Sequence, residues 1–169
     1  MDPRDGSAAP EDGVQGSDGQ RALCALDFLV GRWEGQGHVH GDPTRGRLVV
    51  ERVTGGGFVL ARDQLLEDGR VDHEDLAIYR WDAPNQCLRV HHYSPPGVLA
   101  DHYVVMDETR VGIRWVSGPL SPRIDFWMDH AELCVEVFLP GENQATQQMR
   151  YTRVPSGTSE SEPSEEEEG

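Results

Sequence analysis

Seven histidines supply the side chains best suited to move protons near neutral pH: His38, His40, His73, His91, His92, His102 and His130. His38 and His40 share one strand face beside a turn, and two histidines without a third ligand do not make a zinc site. His91 and His92 are adjacent, so an extended chain points them to opposite faces. Arg89, His91 and Tyr93 lie on one face; Leu88, Val90 and His92 lie on the other. An apolar interior puts His91 outside, and a cavity with polar contacts reverses this; the pattern leaves both open. His102, flanked by Asp101 and Tyr103, is a second acid–base candidate. Arg123, Asp125 and Trp127 share a face, with Ile124, Phe126 and Met128 opposite. Turned inward, the Arg–Asp pair suits a carboxylate or enolate guest, which a guanidinium binds with two bonds. Turned outward, it is a cross-strand ion pair, the commoner arrangement. The candidates for chemistry are therefore His91, His102, Arg123 and Asp125, and Trp33, Tyr93, Trp115 and Trp127 are the candidates for lining an apolar pocket. No G-x-S-x-G elbow, recognisable Cys–His pattern or phosphate-binding glycine loop ahead of a helix occurs, so hydrolase, kinase and dehydrogenase readings lack support. The chain has no lysine, which removes Schiff-base chemistry.

The elements that must position these residues are strands. Only residues 20–30, with Leu23, Ala25, Leu26, Phe28 and Leu29, have helical spacing, enough for a turn or two. From residue 31 onward, about ten short alternating segments follow: 31–40, 46–53, 58–66, 73–82, 87–94, 99–107, 110–117, 122–129, 133–140 and 146–154. Gly, Pro, Asp and Asn punctuate them, as at Gly41-Asp42-Pro43 and Pro95-Pro96-Gly97. The connections are too short for parallel crossovers. An open meander of that length leaves two long edges, which closure into a barrel abolishes, and a barrel of that size has room for a ligand. The sequence predicts an all-β chain folded as an antiparallel up-and-down barrel with a short N-terminal helix.

Composition divides the chain into three. Residues 1–21 and 155–169 are nearly free of apolar side chains, and the second ends in a run of glutamates. Neither buries enough surface to offset ordering entropy, so both are expected as disordered tails around a domain at 22–154. The net charge is −15, of which the first 22 residues carry −3 and the last 15 carry −6. The −6 that remains disfavours nucleic acid and anionic membranes as partners. The acidic tail reads as a solubility device. All 15 basic residues are arginine, the bias of a GC-rich bacterial coding sequence. Cys24, Cys87 and Cys134 match no zinc spacing and are expected as free, buried thiols. With no signal peptide and no apolar run of membrane-spanning length, the expectation is a cytoplasmic protein. Several strands look apolar on both faces, so a two-fold homodimer is the default assembly.

The most specific motif is G-x-W-x-G-x-G, with Gly31, Trp33, Gly35 and Gly37 on one strand face. Glycines weaken a strand unless something compensates, such as sharp bending or close backbone approach. Trp33 then plugs one barrel end, or alternatively touches a ligand. At these residues the chain resembles nitrobindin and related bacterial lipocalin-like barrels of the calycin group. LDFLVGRWEGQG is similar to their barrel opening, HEDLAIYRWDAPNQCLRVHHYSPPGVL to a mid-barrel hairpin, and MRYTRV to a closing strand. The likeness spans roughly residues 25–154. It implies a ten-stranded calycin or fatty-acid-binding-like barrel with an internal cavity. In nitrobindins that cavity holds heme for nitric oxide or peroxynitrite chemistry, with iron on a histidine near the start of the last strand. This chain reads Thr146-Gln147-Gln148-Met149 there, leaving Met149 and His130 as the donors nearby. The expectation is therefore a barrel that encloses a small, largely apolar or amphipathic organic ligand, without heme or metal. A cofactor-independent cyclase or isomerase on the same cavity is the first alternative, and a heme protein the second.

Overall fold

A computed structural model of the chain describes residues 18–118 and 121–155. Within them, α1 (Asp18–Cys24) leads into ten strands: β1 (Gly31–Val39), β2 (Asp42–Val53), β3 (Phe58–Glu67), β4 (Arg70–Asp82), β5 (Cys87–Ser94), β6 (Val98–Met106), β7 (Gly112–Val116), β8 (Arg123–Asp129), β9 (Glu132–Phe138) and β10 (Gln147–Arg153). Each pairs antiparallel with its sequence neighbour, and β1 pairs with β10 to close the barrel. The expected all-β barrel and short helix are both present. The helix begins at Asp18, ahead of the expected domain start at 22; the other expected tail residues, except Pro155, lie outside the described residues.

Closure depends on the glycine motif. Gly35 sits opposite Tyr151 and Gly37 opposite Met149. A Cβ added at Gly35 would come within 2.3 Å of the Arg150 carbonyl oxygen, and one at Gly37 within 1.9 Å of that of Gln148. Only a residue without Cβ lets the first and last strands approach this closely.

One barrel end is sealed. Leu23, Leu26 and Leu29 are buried there, beside Trp33. The Trp33 Nε1–H donates to the Leu29 carbonyl at 2.8 Å, and the Arg153 guanidinium covers the indole at 4.4 Å. Gly19 lies against Trp81, and Arg52 holds the connecting segment through Asp27 and the Leu23 carbonyl. Apolar residues point inward along every strand, and ion pairs such as Arg47–Glu34 and Arg150–Glu132 lie outside. That is the reverse of the lipid-facing apolar band of a membrane-spanning barrel. Among the described residues no helix is long and apolar enough to cross a membrane. The three cysteines are free; Cys134 is buried as expected, but Cys24 is exposed on α1 and Cys87 is half-buried at the start of β5.

Candidate functional site

The inward faces change character along the barrel. β3 presents Val59, Ala61 and then Asp63. β4, running back, presents Tyr79, Ala77, Asp75 and His73. β5 presents Leu88, Val90, His92 and Ser94, and β6 presents Val104 and then His102. β7 carries Ile113 and Trp115 inward, followed by Ser117. Each of these strands is apolar near the Trp33 end and carries its inward polar residues toward the opposite, unsealed end, where Leu65 on β3 and Ala100 on β6 are apolar exceptions. Period-two alternation produces this, because one polar residue substituted in phase with the apolar ones must also point inward.

Between these two regions lies a partly enclosed cavity of about 50 Å³. Leu29, Val50, Ala61, Ala77, Ile124 and Phe126 form its apolar wall, and Asp63, Asp75, Tyr79, His92, Trp115 and Gln147 bring polar atoms to it. Drug-sized pockets run to roughly 300–1,000 Å³. At about 10–15 Å³ per water, this cavity has room for about four waters or a guest with a similar number of non-hydrogen atoms. The cavity expected from the strand count exists, but inward aromatic rings fill most of the barrel: Trp115 packs against Tyr79 at 5.7 Å and Phe126 at 5.2 Å between centroids.

Two carboxylates define the polar side. Asp63 accepts a hydrogen bond from the Tyr151 hydroxyl at 3.0 Å. Burial, with repulsion from Asp75, outweighs that bond and the attraction of His73, and pushes the Asp63 carboxyl up to about 6. Asp75 lies 3.1 Å from His73 Nε2 and 3.4 Å from His92 Nε2. Burial raises its pKa too, but the His92 and Ser94 hydrogen bonds and the attraction of both histidines prevail, holding it below the usual carboxylate range. The neighbouring acids are thus driven apart in proton affinity. His102 is fully buried, and its Nδ1 lies 3.0 Å from Ser117 Oγ. Burial and repulsion from His92 lower its pKa against the attraction of Asp101, so it is neutral at neutral pH. Among the described residues, two buried side-chain polar atoms complete no hydrogen bond: His102 Nε2 and Trp115 Nε1. The indole N–H is close enough to Tyr79 to draw its phenol down somewhat, although burial raises that group strongly overall, but the contact falls short of hydrogen-bond geometry.

The candidates read from the sequence divide sharply. Trp115 lines the cavity and His102 is inward, on the polar side of the same barrel. His91 is outside, accepting from Arg80 Nε at 2.9 Å; the apolar face of β5 is the interior, so His92 is the inward histidine. Tyr93 shares the outer face and is exposed. Arg123, Asp125 and Trp127 are also outside. Asp125 is gripped by Arg114 at 2.6 and 3.1 Å and approached by Arg123 at 3.5 Å, and Arg110 stacks on Trp127 at 4.0 Å. Ile124 and Phe126, in the opposite phase, take the interior. Trp33 is the plug of the sealed end and does not line the cavity. His38, His40 and His130 are exposed. The sequence does not single out Asp63, Asp75 or Gln147 as site residues, although Asp63 continues the phase of Val59 and Ala61, and Asp75 that of Ala77 and Tyr79.

A porphyrin does not fit these residues. The cavity is far smaller than a macrocycle, Gln147 rather than histidine faces it from β10, and His130 sits at an exposed turn. Among the described residues no group of three or more His, Cys, Asp or Glu is arranged to hold a metal ion. A larger depression around β1, β2, β9, β10 and the β3–β4 turn, lined by Gln36, His38, Arg45, Glu136 and Arg150 among others, is open to solvent and gathers none of the buried polar groups. No family model and no curated protein matches the chain.

Proposed function

We propose that the barrel is a binding chamber for a small organic molecule with an apolar body and a polar end. The observation that carries this reading is the cavity itself: an apolar wall on one side, and on the other two carboxylates, a histidine and an indole N–H without an acceptor. A buried polar atom left unpaired costs about 1–3 kcal/mol, so a guest that pairs with it binds with that advantage. The guest is limited to a few non-hydrogen atoms unless the inward rings move.

The test is a titration of isotope-labelled protein with isobutanol, read by NMR. Shifts are expected at the Trp115 indole N–H and at amides flanking Ala61 and Ala77, which pair directly across β3 and β4 and both line the cavity. Ala77→Leu fills that space and should abolish these shifts while leaving the barrel folded. Shifts confined to the exposed Tyr93, Leu99 and Tyr103 would contradict the chamber.

A second reading rests on Asp63. A carboxyl near 6 beside a histidine–aspartate pair, at the wall of a cavity, is suited to take and return a proton. The chamber would then act as a cofactor-independent isomerase or cyclase. Wild-type protein in heavy water should exchange the α-hydrogens of a small ketone such as butanone, and Asp63→Asn should not. Equal exchange by both proteins would rule Asp63 out as the base.

A further inference from the structure

We infer that the chamber selects a small neutral carbonyl compound, its oxygen received by the Trp115 indole N–H and the Tyr79 hydroxyl; this rests on the chamber reading and specifies the chemistry it takes. Trp115 is 3 % exposed, lines the cavity, and has no partner for its N–H. An indole nitrogen can only donate. The ring itself is occupied, packing on Tyr79, His92, His102 and Phe126 with centroids 5.2 to 5.7 Å away. What the residue keeps for a guest is its N–H. The Tyr79 hydroxyl stands beside that N–H and lines the same cavity. Burial raises the phenol strongly, so it keeps its hydrogen and is a second neutral donor. Two donors at one wall suit a single oxygen with two lone pairs.

The acceptors around the cavity are already engaged. Asp63 accepts from the Tyr151 hydroxyl and the Gln64 amide, and Asp75 is held by His92, His73 and Ser94. A guest that brings hydrogens must compete with these partners. An ammonium brings nothing else and leaves the indole N–H unpaired. A carboxylate accepts, but sets its charge against the Asp75 carboxylate, which its partners keep ionised. An alcohol accepts but has a hydrogen to place. A ketone or aldehyde accepts twice and has none. Gln147 can turn either end of its amide to a guest and does not decide between them. Leaving a buried donor unmade is costly, so the match of donors to acceptor carries the selectivity.

The experiment titrates the full chain with butanone, isotope-labelled at its carbonyl, and in parallel with isobutanol. Infrared difference spectra read the bound carbonyl, and NMR reads the Trp115 indole N–H. The bound carbonyl stretch should lie at or below its frequency in water, and the indole proton should move downfield. Butanone should bind about tenfold more tightly than isobutanol. In Tyr79→Phe, which removes only the hydroxyl, the stretch should rise and butanone should weaken about tenfold. A bound stretch at the frequency of butanone in hexane, or isobutanol binding as tightly as butanone, would overturn the carbonyl assignment and leave the chamber standing. Interior resonances unmoved by both probes would overturn the chamber and this inference with it. The wild-type stretch decides the matter even if the variant fails to fold.

Discussion

At the scale of single residues, Asp63 makes the clearest thermodynamic statement. Its carboxyl titrates at about 6 in the folded barrel, above the ordinary 3.8, so folding favours its protonated form. The stability this confers is complete below about pH 4 and is lost as pH rises through 6. Asparagine is neutral throughout, so Asp63→Asn should melt above wild type at pH 8. The gap should be on the order of 2 kcal/mol, or several degrees, and should close toward pH 4. Asp75 shifts the other way but is present in both proteins. Thermal melts across that range check this; a gap independent of pH would place the Asp63 charge in water. The outer residues give the converse expectation. Arg123→Ala removes a cation at 3.5 Å from Asp125, on the far side of the sheet from the cavity. Isobutanol binding measured at the Trp115 indole should be unchanged.

At the scale of elements, the seam between β1 and β10 decides whether the barrel closes. Gly37→Ala puts a methyl group 1.9 Å from a backbone oxygen, and neither strand can retreat without breaking its ladder. The expected loss is about 3 kcal/mol, measurable by denaturant melts. Alanine at Gly41, a turn glycine with open space around it, meets no such contact, so any cost there comes from its left-handed backbone alone. Equal losses at the two positions would mean that close approach is not what the motif provides. The seam was legible in the sequence because Gly35 and Gly37, in phase with Trp33, strip the rest of that strand face of side chains, which is what a closely approaching neighbour requires. The strands were legible because turn residues punctuate them at short intervals. The phase of β5 was not, since one face holds Leu88, Val90 and His92 and the other Arg89, His91 and Tyr93, and only the packed interior shows that the first faces inward. On β8, Asp125 is more deeply buried than Phe126, but beneath Arg114 and Arg123 rather than in the core. Burial from above a sheet leaves no trace in alternation. Asp63 and Asp75 were missed because an acid in an apolar phase reads as the end of a strand's buried stretch, and nothing local shows that two such ends meet across β3 and β4.

For the molecule as a whole, the polarity of the barrel along its axis is the central feature. Trp33, Leu26 and Leu29 close one end, the polar residues of β3 to β7 stand toward the other, and the cavity lies where the two regions meet. The sealed end should dominate global stability. Trp33→Ala should cost about 3–5 kcal/mol, because it removes the largest fully buried side chain together with its hydrogen bond to Leu29. The outer surface of β5 to β7, where Tyr93, Leu99, Tyr103 and Val116 are exposed, has no part in the chamber, and probes should leave it unmoved. The most direct measurement is a crystal structure of the protein soaked in isobutanol. Density is expected between Asp63, Asp75, Tyr79 and Trp115, with the hydroxyl toward the Trp115 indole N–H and the carbon chain against Ala61 and Ala77. Probe density found only on the outer surface, with the interior unchanged at saturating concentration, would contradict the chamber.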